Sequence, residues 1–436
     1  MDMERMAGRT GKGAVHAVPL PVMPRTVTIG LLFASGDYAG WSTHGPNARY
    51  LAVLFLVAAV IADYRRTVSS TQHTVALTLP VYLFLAWLWV LAIRALSMGT
   101  WANSTTVLIV PPLIILAASL LINSGWSANS RWPAVPRTNP TWISYAPYAA
   151  ALVFGGLSLI DTINAPFGRP LNLLNHEKTF IAVYILLMPR YKGSLPVKVV
   201  VGAASVLSLY KYPAATTVIA LVLALGALVL LRISRNPRPW SLLAFSLFFV
   251  FVITGVLKEL LDSFYKTIGR GDNNETRLSL WDQAWSLIQP DPLAGGAMEL
   301  RITGVGRIDG VLQLVPFHNS YLTLMAAGGL VALVLFSAFI TAVFFRTLKR
   351  PRPFRTRYAA QWLPAILAAL VSMTVNPVLD KLGSAVFVYV LLAVAVVNLT
   401  RVSREWTAGS LEVQGVEPGS QYFAGTPFAA PRKSPW

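Results

Sequence analysis

The chain has 436 residues, of which 55% are apolar and only 12% charged, with no cysteine and a formal net charge of +18. A soluble domain carries about a quarter charged residues, so this composition excludes a soluble globular enzyme, a disordered scaffold and a disulfide-stapled secreted domain. Without cysteine there is no thiolate metal site and no thiol nucleophile.

A membrane-spanning helix needs about 20 mostly apolar residues. Apolar runs at 26–40, 48–62, 74–94, 104–122, 143–160, 178–190, 196–210, 213–231, 240–257, 318–345, 358–378 and 384–400 predict an all-α polytopic membrane protein with about 12 transmembrane helices. Ser35, Gly36 and Asp37 blunt the first run, and Pro189 and Pro196 punctuate the turn between the short sixth and seventh. The chain divides into a basic arm (1–25), nine spans (26–257), a partly helical loop (258–317), three further spans (318–401) and a Gly-, Pro- and Ser-rich tail (402–436) expected to be disordered.

Basic residues near span ends set orientation, because cytoplasmic loops carry the excess of Lys and Arg. With both termini in the cytoplasm, the inner segments hold 24 of the 36 basic residues and 6 of the 18 acids, which accounts for the whole net charge of +18. The densest inner cluster runs from Arg346 to Arg357. Such a distribution serves topology and contact with anionic lipid headgroups. No basic stretch interleaved with aromatic stacking residues lies in a soluble domain, so nucleic acid is not an expected partner.

The loop 258–317 is the one long connection, and it falls on the outer face. Connections of this length without structure of their own are uncommon and usually functional or disordered. Leu278, Trp281, Trp285 and Leu287–Ile288 fit one face of an amphipathic helix, with Thr276 or Asn274 at its start. Trp favours the headgroup zone, so Trp281 and Trp285 read first as interface anchors. Beyond them come Pro292–Leu293, the pair Gly295–Gly296, and then His318-Asn319-Ser320-Tyr321-Leu322 at the mouth of the tenth span, followed by Gly328–Gly329.

Arg277, Trp281 and Ala284 within a helix, then Pro-Leu and a glycine pair, then His-Asn-x-Tyr-Leu leading into a glycine-bearing helix, make a pattern that resembles the O-antigen ligase and O-antigen polymerase superfamily, which includes protein O-oligosaccharyltransferases. The resemblance implies a lipid-linked glycan transferase of the bacterial cytoplasmic (inner) membrane, with its active site outside the cytoplasm. Its donor would be a polyprenyl-diphosphate-linked glycan and its acceptor a hydroxyl on a glycan, lipid or wall component. His318 would act as base and Arg277 as the main cation, with Asn319 or Tyr321 orienting groups and Trp281 a substrate contact. Family members carry a basic residue, normally Arg after Ser, between the seventh and eighth spans; here Lys211 is the nearest match. Arg301 and Arg307 are possible helpers, and Arg169 is a candidate on charge alone. The outer segments hold no Asp-x-Asp and no His/Asp/Glu set with ligand spacing, so no metal or other cofactor is expected. A transporter for lipid-linked or anionic solutes is the competing class, but it would place charges inside the spans near the bilayer midplane.

Overall fold

The computed structural model describes residues 23–36, 54–63, 79–99, 103–124, 141–164, 178–189, 194–211, 214–234, 273–296, 301–308, 311–350 and 352–413. The ninth apolar run (240–257), Arg169 and the arm up to residue 22 lie outside them. In chain order the elements are α1 (Pro24–Gly36), α2 (Leu54–Asp63), α3 (Leu79–Ser97), α4 (Asn103–Ser124), α5 (Thr141–Asn164), α6 (Thr179–Leu187), α7 (Ser194–Lys211), α8 (Ala215–Ile233), α9 (Asn273–Ile288), β1 (Arg301–Ile308), β2 (Val311–Pro316), α10 (Ser320–Lys349), α11 (Ala360–Met373) and α12 (Leu382–Val413). Helices therefore occupy the eleven apolar runs that fall on described residues. Those long and apolar enough to cross a membrane are α3, residues 145–164 of α5, α7, α8, α10 and residues 382–399 of α12.

The bundle is helical, and the loop 258–317 adds one feature not expected from the sequence: β1 and β2 form an antiparallel hairpin in which Ile302 pairs with Val315 and Ile308 with Val311, with a bulge between Thr303 and Arg307. β-branched residues and Leu supply strand propensity there, and Asp309–Gly310 is a strong hairpin-turn dipeptide. α12 continues past its apolar segment to Val413, and the rest of the tail lies outside the described residues.

The core is organised around α12. Its segment Leu382–Leu399 is entirely buried inside the protein, wrapped by α1, α4 and α11. Lipid tails are as apolar as leucine, so close van der Waals packing and small residues hold such helices together. At Gly30 of α1 an added Cβ would stand 3.2 Å from Val390, and at Gly155 of α5 it would stand 2.7 Å from Val201 of α7. Phe180 and Tyr184 of α6 pack on Phe387 of α12 with ring centroids 6.3 and 5.6 Å apart, and Phe84 of α3 packs on Phe336 and Phe339 of α10. Leu83, Trp89, Ile93, Val222, Leu225 and Val334 are exposed, as the lipid-facing surface of a membrane bundle requires.

Polar ties define the bundle's two ends. At one end Asp63 accepts the Thr26 amide and hydroxyl at 2.8 and 2.9 Å at the start of α1, where a carboxylate satisfies orphan donors. At that same end Arg350 donates to the Leu399 carbonyl and Arg352 to the Arg232 carbonyl. At the opposite end Lys178, Lys211 and the start of α10 make the corresponding ties.

The feature that positions the insert is a break in α10. Gly329 has φ 65° and ψ −168°, outside the helical region and open essentially to glycine alone. In an unbroken helix the Leu330 and Val331 amides would bond to the carbonyls of Ala326 and Ala327. Instead they donate to Pro292 at 2.8 Å and Leu293 at 3.2 Å, while the Ala326 carbonyl accepts the Gly296 amide at 3.0 Å and the Gly328 carbonyl accepts the Trp87 indole N–H at 3.0 Å. The turn Pro292–Gly296 is thus set into the gap in the helix. Backbone groups freed within a membrane helix must be satisfied by protein, and the Leu330 and Val331 amides and the Ala326 and Gly328 carbonyls are. A Cβ at Gly295 would stand 2.5 Å from the Gly329 nitrogen and 2.7 Å from the Ala327 oxygen, and a Cβ at Gly329 would overlap the Leu293 carbonyl. The two glycine pairs of the sequence pattern meet here.

Gly329→Ala should therefore destabilise the protein by about 2–4 kcal/mol, combining a forbidden φ with backbone overlap. Gly226→Ala, where nothing lies within 4 Å, should be neutral or slightly stabilising through helix propensity. Thermal unfolding of both variants in detergent, followed by tryptophan fluorescence, checks the contrast.

Candidate functional site

The junction between the hairpin and α10 carries the histidine. β2 ends at Pro316, Phe317 is fully buried, and α10 begins at Ser320. His318 lies between them, half-buried, with φ 54°. A non-glycine residue in the left-handed region stores strain and is held there by its surroundings. What holds it is visible on both sides. Phe317 anchors the chain before it. After it, Asn319 caps α10, its side-chain oxygen accepting the Tyr321 and Leu322 amides at 2.9 and 3.2 Å.

Asn319 therefore has its side-chain oxygen engaged by the helix start. Tyr321 is similarly engaged: its hydroxyl donates to the Leu370 carbonyl of α11 at 3.0 Å. These bonds hold both residues in the first turn of α10, next to the histidine. Ser320 adds a third tie, donating to the Asn376 carbonyl at 2.9 Å and accepting the Leu379 amide. Thr323 donates to Asp380 at 3.2 Å. The turn 374–381 between α11 and α12 thus packs against the first turn of α10, and the Asn376 amide nitrogen is buried there without a protein acceptor. Sequence reading passed over Asn376 and Asp380, although polar residues closing a span on the histidine's side could have singled them out.

The insert sits beside this junction. α9 packs on α10 and β1, with Leu280, Ala284 and Ile288 buried along one face. Trp285 and Leu287, on the apolar face read from the sequence, are exposed, and the face buried in the protein carries the small Ala284. The helix begins at Asn273, so Asn274 and Thr276 fall inside its first turn. Arg277 follows in α9, one turn before Trp281, whose indole N–H is buried without an acceptor among the described residues. Arg301 and Arg307 lie on β1, paired with Pro316 and Leu312. His318, Arg277, Arg301, Arg307 and Trp281 thus belong to one docked unit of α9, hairpin and α10.

Lys211 is placed differently. Its ammonium donates to the Thr162 and Ile163 carbonyls at 2.9 and 3.2 Å, capping the C-terminus of α5. The helix that carries it packs mainly on α5 and α6, so the structure ties Lys211 to α5 and not to α10. At the same end Lys178, which the sequence reading passed over as a site residue, is buried with its ammonium 3.4 Å from the Ala34 carbonyl. Arg169 lies outside the described residues.

Fold and site together define an integral membrane protein whose long insert is docked into a broken helix beside a strained histidine. A family model described as O-antigen ligase matches residues 200–337, from α7 through the break in α10. The match supports the O-antigen ligase superfamily, whose members are in general ligase- or polymerase-type glycosyltransferases. No curated protein matches the chain significantly.

The cap is separable from the chemistry. Asn319→Ala should lower stability by about 1 kcal/mol, whereas Asn319→Asp should retain it, since a carboxylate caps equally well. Unfolding midpoints of the two variants provide the comparison.

Proposed function

We propose that the chain transfers a glycan from a polyprenyl-diphosphate carrier to an acceptor hydroxyl on the outer face of the bacterial cytoplasmic membrane, with both termini in the cytoplasm. The observation that carries this reading is the docked unit, which brings the strained His318 and the α9 helix bearing Arg277 onto one junction within a segment matching the O-antigen ligase family. The charge distribution supports the orientation, since it assigns the excess of Lys and Arg to the end away from His318.

The chemistry needs few parts. The acceptor oxygen attacks the sugar anomeric carbon as the bond from that carbon to the diphosphate oxygen breaks. The acceptor proton passes to the His318 imidazole, a suitable base near neutral pH. The leaving polyprenyl diphosphate gains negative charge, which fixed cations stabilise in a site shielded from bulk water. Arg277 is the principal cation, because its guanidinium can grip phosphate oxygens bidentately. Arg301 and Arg307 stand on the adjoining strand. Lys211 keeps one of its three N–H donors beyond the two spent on α5. Attack opposite the leaving group inverts the anomeric centre, and none of these steps calls on a metal.

His318→Ala should abolish transfer from a defined polyprenyl-diphosphate glycan while the protein still inserts and folds; transfer near the wild-type rate would contradict the assignment. Arg277→Ala should raise the donor concentration needed or lose activity outright, with only partial rescue in Arg277→Lys. Product size in the same assay separates polymerisation, which gives a ladder, from ligation, which gives a single addition.

A further inference from the structure

We propose that Arg94 is a positioning residue for this site: from α3, outside the segment that matches the family, it clamps the Pro292–Gly296 turn into the break of α10 and so fixes where α9 and Arg277 stand relative to His318. The inference deepens the proposed function and rests on it for its kinetic consequence.

α3 is an apolar span with a single charged residue, Arg94 in its last turn. A charge in such a helix is costly unless it has a partner. The simple account of an arginine there is a favourable contact with its own helix C-terminus. The geometry points elsewhere. One guanidinium nitrogen donates to the Gly295 carbonyl at 2.7 Å, and the other lies 3.7 Å from the Asp291 carboxylate, so a single planar group grips both sides of the turn. Asp291 in turn accepts the Ala294 amide at 3.1 Å, which closes the turn internally. The side chains of Arg94 and Asp291 are 28% and 44% exposed, so the ion pair is screened and the bond to the carbonyl carries most of the hold.

Arg94 also does not act alone. Residues 87, 91 and 94 share one face of α3 by helical spacing. Trp87 donates to the Gly328 carbonyl, and the Leu91 side chain would be 2.9 Å from a Cβ at Gly328. That whole face is fitted to the break. A Cβ at Gly296 would lie 3.2 Å from the guanidinium, so the second glycine of the pair leaves the room that the clamp occupies. The result is a three-part joint of α3, the turn and α10, of which only the last two fall within residues 200–337.

The test uses the full chain in lipid nanodiscs, with spin labels on Ser286→Cys in α9 and Val222→Cys in α8 of the naturally cysteine-free protein. Arg94→Ala should broaden and shift the interspin distance distribution. It should raise the donor KM about tenfold with a much smaller change in kcat, the split expected when a binding element is displaced and the chemistry kept. Arg94→Lys should restore part of both, since an ammonium reaches one acceptor but not the two together. Asp291→Asn should give a smaller shift, and adding Arg94→Ala to it should cost less than Arg94→Ala alone. Unchanged distances and donor KM in Arg94→Ala would overturn the proposal, as would a fall in kcat and folded yield with KM constant. If Arg94→Ala does not fold, Arg94→Lys and Asp291→Asn decide by the same two readouts. If the wild type turns over no polyprenyl-diphosphate glycan, the functional reading fails, and the spin-label distances still decide the clamp.

Discussion

A helix interrupted inside an apolar bundle leaves amides and carbonyls that neither lipid nor side chains of the same helix can satisfy. In this protein the interruption at Gly329 is completed by the backbone of Pro292–Gly296, which supplies acceptors for Leu330 and Val331 and a donor for Ala326. The exchange is reciprocal, so neither segment is satisfied without the other. Because the turn continues from α9 and α10 begins beside His318, satisfying those few backbone groups also fixes the insert on the histidine. Stability of the bundle and geometry of the site are therefore one constraint.

Much of this was legible in the sequence. The apolar runs located the helices because a span leaves a long, unambiguous signal. His318 and the glycine pairs stood out by their pattern. The reason for the glycines was not legible, since it lies in a contact between positions about 35 residues apart whose requirement is an absent Cβ. The partners on α3 are more distant still: Arg94 and Gly295 are separated by 201 residues and Trp87 and Gly328 by 241. Nothing local in an apolar span announces such pairings. The hairpin could have been read from Asp309–Gly310 and its β-branched flanks, but two glycines inside β1 break the alternation. The face by which α9 packs into the protein was not legible, because Ala284 and Leu280 carry no signal beside the more conspicuous tryptophans.

The polar groups fall into distinct tasks once their partners are known. Asn319, Ser320, Tyr321 and Thr323 secure the first turn of α10 to its own backbone and to the α11–α12 turn. Lys211 closes the end of α5. The proposed function draws instead on the histidine they surround and on the arginines of α9 and β1. The surrounding ties are scaffold, and they explain why His318 can persist in a strained conformation.

The central claim is that the turn after α9 lies within the break of α10, and a disulfide between the two tests it most directly in a chain with no native cysteine. Leu293→Cys and Val331→Cys place thiols on residues joined by a 3.2 Å backbone hydrogen bond, and a disulfide forms only between such directly adjacent residues, with Cα atoms roughly 4.4–6.8 Å apart. The account predicts rapid, near-complete cross-linking on mild oxidation in membranes, while Leu293→Cys paired with the lipid-facing Val222→Cys forms none. Failure of the first pair to cross-link in folded protein, or equal cross-linking of both pairs, would contradict it.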